Sequence, residues 1–217
     1  MILSSLMLAL DELFPEYKGW VLEERCVSAH LMRLLPHGYK RGLRGRSHRI
    51  IVHVCSALPR KEIIYCQGFC ERFIRGDPWE ITKKPDPIRR KEWYLHHLLQ
   101  GVLLEVEDAG WDKQLFLDAA AQIRAGGYIN RWLWGKPLRN LNRTYQAVAE
   151  CNHEWDAFTL TLKIMDRHRR VCMEKEIVRC EPSEFIYHSK LGKLHWADHK
   201  TLQMRTRKQD VMAELTV

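Results

Sequence analysis

Three imidazoles and a carboxylate, His188, His195, Asp198 and His199, fall within twelve residues of one another, and these are ligand types used by zinc and iron sites. Their spacing argues against a shared ion. Leu194, Trp196, Leu202 and Met204 alternate like two strands turning at Asp198-His199-Lys200, which leaves the imidazoles on an exposed turn. Cys66-Gln-Gly-Phe-Cys70 is the nearest approach to a redox or metal motif, but its spacing is neither C-x-x-C nor that of a zinc knuckle. On one strand the two sulfurs would stand about 13 Å apart, so both read as core thiols. His96-His97 has the chemistry of an acid–base pair, yet no carboxylate partner can be named for it, and it reads as solvent or boundary histidines on a helix, beside the apolar stripe rather than within it. G-x-S-x-G, Walker, G-x-G-x-x-G and H-E-x-x-H motifs are absent. No catalytic residue, metal or cofactor is assigned on this basis.

Binding chemistry is better represented. Between Tyr128 and Tyr145 two Trp and two Tyr are interleaved with Arg131, Lys136, Arg139 and Arg143, a composition common where proteins recognise proteins and one that also suits stacked bases. On a strand Trp132 and Trp134 share one face, while Arg131 and Leu133 share the other. Arg131, Arg139, Arg143 and Trp134 are therefore the candidate partner-binding residues. A second basic stretch, His37 to Arg49, holds Lys40, Arg41, Arg44 and Arg46 among glycines and reads as a basic loop. Those four residues are the candidates for phosphate contacts if the ligand is a nucleic acid, together with the basic stretches 83–91 and 167–170.

These residues need elements to carry them. Leu6, Met7, Leu10, Leu13 and Phe14 have helical spacing up to Pro15, which predicts a short helix over 4–14. Residues 20–35 alternate and read as a strand, and 49–57 with 62–74 read as a hairpin in which Ile64, Cys66 and Cys70 share a face. The clearest pattern is Leu95, Leu98, Leu99, Val102, Leu103 and Val106, one apolar stripe on a helix over 88–109 that opens after Pro85-Asp86-Pro87 and closes at Gly110. A second helix follows over 113–125 behind Asp112 and ends at Gly126-Gly127. Beyond it the period falls to two, with strands over 128–134, 145–151, 157–165, 171–180 and 193–204. The order predicts a single compact α+β domain over 1–217, with antiparallel sheet built largely after Gly127 packed on the helix pair.

Composition narrows the class. The chain has 217 residues, 46% of them hydrophobic, with eight Trp, enough to form a core without disulfides. Seven Cys, mostly inside apolar runs, suit a reducing compartment. The apolar run 1–10 has no basic residues before it and no cleavage site after it, and nothing approaches the length of a membrane span. A cytoplasmic location without membrane association is expected. The net charge of +8 points to an acidic partner, whether protein or nucleic acid.

Four stretches, Gly110-Trp-Asp-Lys113, Asn130-Arg-Trp-Leu-Trp-Gly-Lys-Pro137, Arg143-Thr-Tyr-Gln-Ala147 and Leu191-Gly-Lys-Leu-His-Trp196, resemble small bacterial proteins of the immunity type, encoded beside toxins that they neutralise by binding. The likeness covers the C-terminal half and includes no catalytic residue. It implies a non-enzymatic protein-binding role, an immunity-like inhibitor of a toxin domain. Such inhibitors of nucleases commonly present acidic surfaces to basic toxins, so a chain of +8 implies either a partner that is acidic or neutral overall or acidic residues concentrated on one face. A basic nucleic-acid-binding protein and an enzyme with a dispersed site are the alternatives.

Overall fold

Leu6 and Leu8 are buried and Met7 between them is exposed, so Ser5–Ala9 is a strand, β1, where helical spacing suggested a helix. The structure is a computed structural model and describes residues 3–10, 18–36, 48–206 and 208–217. The rest of the predicted first helix and the basic residues Lys40, Arg41, Arg44 and Arg46 lie outside the described residues. The chain forms two compact units, Met1–Ile129 and Asn130–Val217, each with its own hydrophobic core. The α+β class and the antiparallel sheets are as expected.

In the first unit the predicted strand over 20–35 is instead the helix α1, Lys18–Leu34. Its periodicity is hidden by Glu23 and Glu24, polar residues that are nevertheless buried beside Val27 and Leu31. Each carboxylate has partners that make burial tolerable. Glu23 takes two hydrogen bonds from Arg90, at 2.8 and 2.7 Å, and Glu24 accepts the Leu8 N–H of β1 at 2.7 Å and the Ser28 hydroxyl. Burial still dominates at Glu24 and pushes its carboxyl up to about 7.

β2, Arg49–Cys55, pairs in parallel with both β1 and β4, Phe69–Arg75, so β1–α1–β2 is a parallel crossover. The hairpin lies further on than predicted. β3, Ile63–Cys66, turns into β4 through Gln67-Gly68, both at positive φ, 45° and 85°, the two-residue turn whose twist matches a hairpin. Cys66 is thus exposed on β3 while Cys70 is buried on β4, and the two do not share a face. The sheet order is β1-β2-β4-β3.

The apolar stripe folds as α2, Pro87–Asp108, with Asp86 accepting the Ile88 N–H at its start. It is followed by α3, Gln114–Ala125, where Asp112 accepts the Gln114 N–H at 2.9 Å. Leu95, Leu98, Leu99, Val102 and Val106 are buried as expected, but the core they join is that of β1, β2 and β4, strands that precede the helix. At Gly101 the backbone of α2 comes so near β2 that a methyl group would lie 2.4 Å from Val52 Cγ1. Four hydrogen bonds reinforce this seat at the C-terminal end. Glu105 Oε2 accepts from Tyr65 Oη at 2.8 Å, from Arg72 Nη2 at 3.0 Å and from Cys70 Sγ at 3.2 Å, and Arg72 also reaches Asp108.

The second unit is nearly all strand. β5, Arg131–Leu133, β7, Tyr145–His153, β8, Phe158–Asp166, and β9, Val171–Cys180, form an antiparallel sheet in that order, with β6, Leu138–Arg139, also on β7. After a one-turn helix α4, Glu184–Tyr187, come β10, Lys193–Trp196, β11, Thr201–Arg205, and β12, Val211–Thr216, a second antiparallel sheet. Ala147, Ala149 and Cys151 of β7 and Phe158, Leu160 and Leu162 of β8 face Trp196, Leu202 and Met204 in one core. Two indoles join the layers. Trp134 Nε1 donates to the Gly192 carbonyl at 2.8 Å, and Trp196 Nε1 donates to the Leu138 carbonyl at 3.1 Å.

The burial of Glu24 makes a test of this fold. Its carboxyl holds a proton more tightly in the folded state than at the ordinary 4.5, so its contribution is fully present below that value and is lost as pH rises toward about 7. Urea denaturation at pH 4.5 and pH 8 should show Glu24→Gln gaining stability relative to the native chain as pH rises, by roughly 3 kcal/mol at most. A difference that does not change with pH would mean that Glu24 is not held in an apolar setting.

Candidate functional site

An open groove of about 730 Å³ runs along the N-terminal half of α2. Its floor is one strip of that helix, Ile88, Arg89, Glu92, Trp93, His96 and His97, residues that recur at i, i+1, i+4, i+5, i+8 and i+9 beside the buried stripe. One wall is Glu80 and Lys84, at the 3-10 turn Pro78–Lys83 that Asp77 caps. The other wall is Tyr128, two residues past the Gly126 cap of α3 and itself at φ 63°.

The two carboxylates of the groove are already engaged. Glu80 accepts Lys84 Nζ at 2.7 Å and Trp93 Nε1 at 3.3 Å, and the Lys84 bond is the main reason its carboxyl lies below the ordinary range. Glu92 is met by Arg124 through Nη2 at 2.8 Å and Nε at 3.0 Å, and by the Tyr128 hydroxyl. Burial would raise the Glu92 carboxyl, but the bonds from Arg124 and Tyr128 outweigh it and the shift is downward. By contrast Arg89 is exposed and makes no hydrogen bond or ion pair among the described residues.

His97 Nδ1 lies 2.9 Å from the Trp93 carbonyl. A carbonyl oxygen can only accept, so Nδ1 carries the proton and Nε2 the lone pair. The ring packs 4.0 Å from that of Trp93 and edge-on to His96 at 5.0 Å. Burial holds its pKa below the ordinary 6.5, more than the nearby carboxylate Glu80 restores. The groove therefore offers a floor of buried aromatic rings, a neutral imidazole at His97, an exposed ring at His96, and a guanidinium, Arg89, that its own carboxylates do not neutralise.

The residues singled out from sequence fare unequally. Trp132 and Trp134 do share a face, and it is the core face of the second unit; Arg131 and Leu133 are exposed on the other. Trp134 is half-buried, packs against the core and gives its N–H to Gly192. Arg139 shares the outer face with Arg131, since they oppose Gln146 and Asn152 of β7, and Arg143 sits at φ 58° in the exposed turn between β6 and β7. Arg131 heads a ladder of alternating charge across that face, with Glu150 at 3.8 Å, Lys163 3.0 Å from Glu150, and Glu174 3.5 Å from Lys163. His188, His195, Asp198 and His199 do not gather: among the described residues no three His, Cys, Asp or Glu form a metal-holding group. Asp198 instead accepts the N–H groups of Lys200 and Thr201, at 2.7 and 2.8 Å, and shapes the turn. No helix among the described residues is long and apolar enough to cross a membrane.

Fold and site together define an α+β chain that carries an open aromatic groove on a helix-over-sheet unit. Set against known proteins, the chain matches no family model, no curated sequence and no solved structure.

His97 gives the site a pH signature. Its folded pKa is depressed, so the unfolded chain takes up the proton first and the contribution of His97, present above 6.5, is lost as pH falls below it. His97→Gln should therefore narrow its stability gap to the native chain between pH 7.5 and pH 5.5 in chemical denaturation. A gap that widens on acidification would place the imidazole in an environment that favours its charge.

Proposed function

We propose that the chain is a cytoplasmic, non-enzymatic protein-binding module, an immunity-like inhibitor of a toxin domain, and that the α2 groove is a surface it presents to its partner. The observation that carries this reading is one concavity in which the exposed Arg89, His96 and Ile88 stand around the buried rings of Trp93 and Tyr128. Arginine is among the side chains that anchor protein recognition. The likeness of the C-terminal half to immunity-type proteins supports the same role. Co-expression with the product of a neighbouring toxin gene tests it. A stoichiometric complex and protected cells are expected; cells that die as they do without the chain would overturn the reading.

A second reading, nucleic-acid binding, is supported by the Arg49 guanidinium 5.2 Å over the Phe69 ring and by His53 stacked at 4.5 Å on Phe73, on one face of the β2–β4 pair. Such platforms suit bases. Binding of single-stranded RNA measured at 50 and 200 mM salt should then weaken by orders of magnitude, and affinity without a salt slope would exclude it.

A further inference from the structure

We infer that the α2 groove seats an acidic segment of the partner protein, with one carboxylate on Arg89 and a second at His96. This rests on the protein-binding reading and specifies the chemistry of the partner. Charge complementarity is the argument. Of the ionised groups in the groove, Glu80 is neutralised by Lys84 and Glu92 by Arg124, so what remains to attract a ligand is positive. That remaining charge is the guanidinium of Arg89, which is exposed and has no partner among the described residues; the His96 ring, exposed and edge-on to His97, can add an N–H donor. The two lie seven residues apart on one helix, about 10 Å along its axis at the usual rise.

Glu92 stands between them, three residues after Arg89 and four before His96. Its bonds from Arg124 and Tyr128 hold it in place as an acceptor, so a carboxylate placed at the centre of the groove would find no donor there. The groove therefore selects carboxylates at its two ends over one in its middle. A partner helix meets that spacing with acidic residues seven apart, and Ile88, more than half exposed, offers its apolar side chain to the segment that joins them.

The test uses the full chain, isotope-labelled, and two alanine-based helical peptides, one with Glu at i and i+7 and one with Gln at both places. The Glu peptide is expected to shift the resonances of Arg89, His96 and the Trp93 indole, and the Gln peptide to bind at least tenfold more weakly. Arg89→Gln should lose that preference without a change in melting temperature. Equal binding of the two peptides, no shift at millimolar Glu peptide, or a groove that takes inorganic phosphate or oligo(dT) more tightly than the Glu peptide would each overturn the inference. In the co-expression experiment, a complex that tolerates Arg89→Gln and His96→Gln together removes the groove but leaves the inhibitor reading intact, whereas failure of the native chain to bind the toxin removes that reading.

Discussion

Everything in the first unit is referred to the contact of α2 with β2 at Gly101. Only a residue without a side chain lets the helix backbone settle against Val52, and interiors packed to crystalline density leave little freedom once such a contact is made. Because a helix is a stiff rod, fixing its middle also fixes its two ends. Its C-terminal end meets Arg72 and Tyr65 of the hairpin, and its N-terminal end displays the groove residues. The groove is in this sense an extension of the core, held by apolar packing further along the same helix.

Buried charge has a different task. Glu23, Glu24 and Glu105 are each about 2% exposed, and each is bonded to a group from another element. Such pairs add little net stability compared with apolar side chains of the same volume, but a wrong arrangement leaves a carboxylate alone in the interior and is costly. They favour one seating of α1 and α2 on the sheet over the alternatives that hydrophobic contact alone would tolerate.

The sequence was legible where burial follows a simple period. α2, α3 and the strands β7, β8 and β9 have polar and apolar residues sorted by face, and their bounds are found within a few residues. It misled where a polar residue is buried. Glu23 and Glu24 broke the helical stripe of α1, which left an apparent alternation, and the Gln67-Gly68 turn signal was passed over because the cysteines on either side looked like one strand. β12 went unnoticed, and β6 is too short to show a period. The groove was out of reach for another reason: its walls come from three separate stretches around Glu80, Glu92 and Tyr128. One clue was present, since Glu92 lies one turn before His96 and supplies the nearby carboxylate that the His pair lacked. The stretches 130–137 and 191–196 have a structural reason for their composition as well. Trp134, Gly192 and Trp196 all belong to the indole bonds that hold the two sheets of the second unit together, so they mark a fold more than a site.

The cysteines acquire a practical meaning from where they fall. Burial and the bond to Glu105 push the Cys70 thiol up to about 12, which makes it a poor nucleophile at neutral pH, and Cys26 and Cys151 are buried too. Cys66, on β3 in the first unit, and Cys172, on β9 in the second, are exposed, and Cys55 and Cys180 are half-buried. An alkylating reagent therefore meets an open thiol in each unit of the native chain, while the buried thiols of both units become reactive only as the core around them opens. The order in which Cys26 and Cys70 on the one hand and Cys151 on the other are modified reports which of the two cores yields first, without altering a single residue.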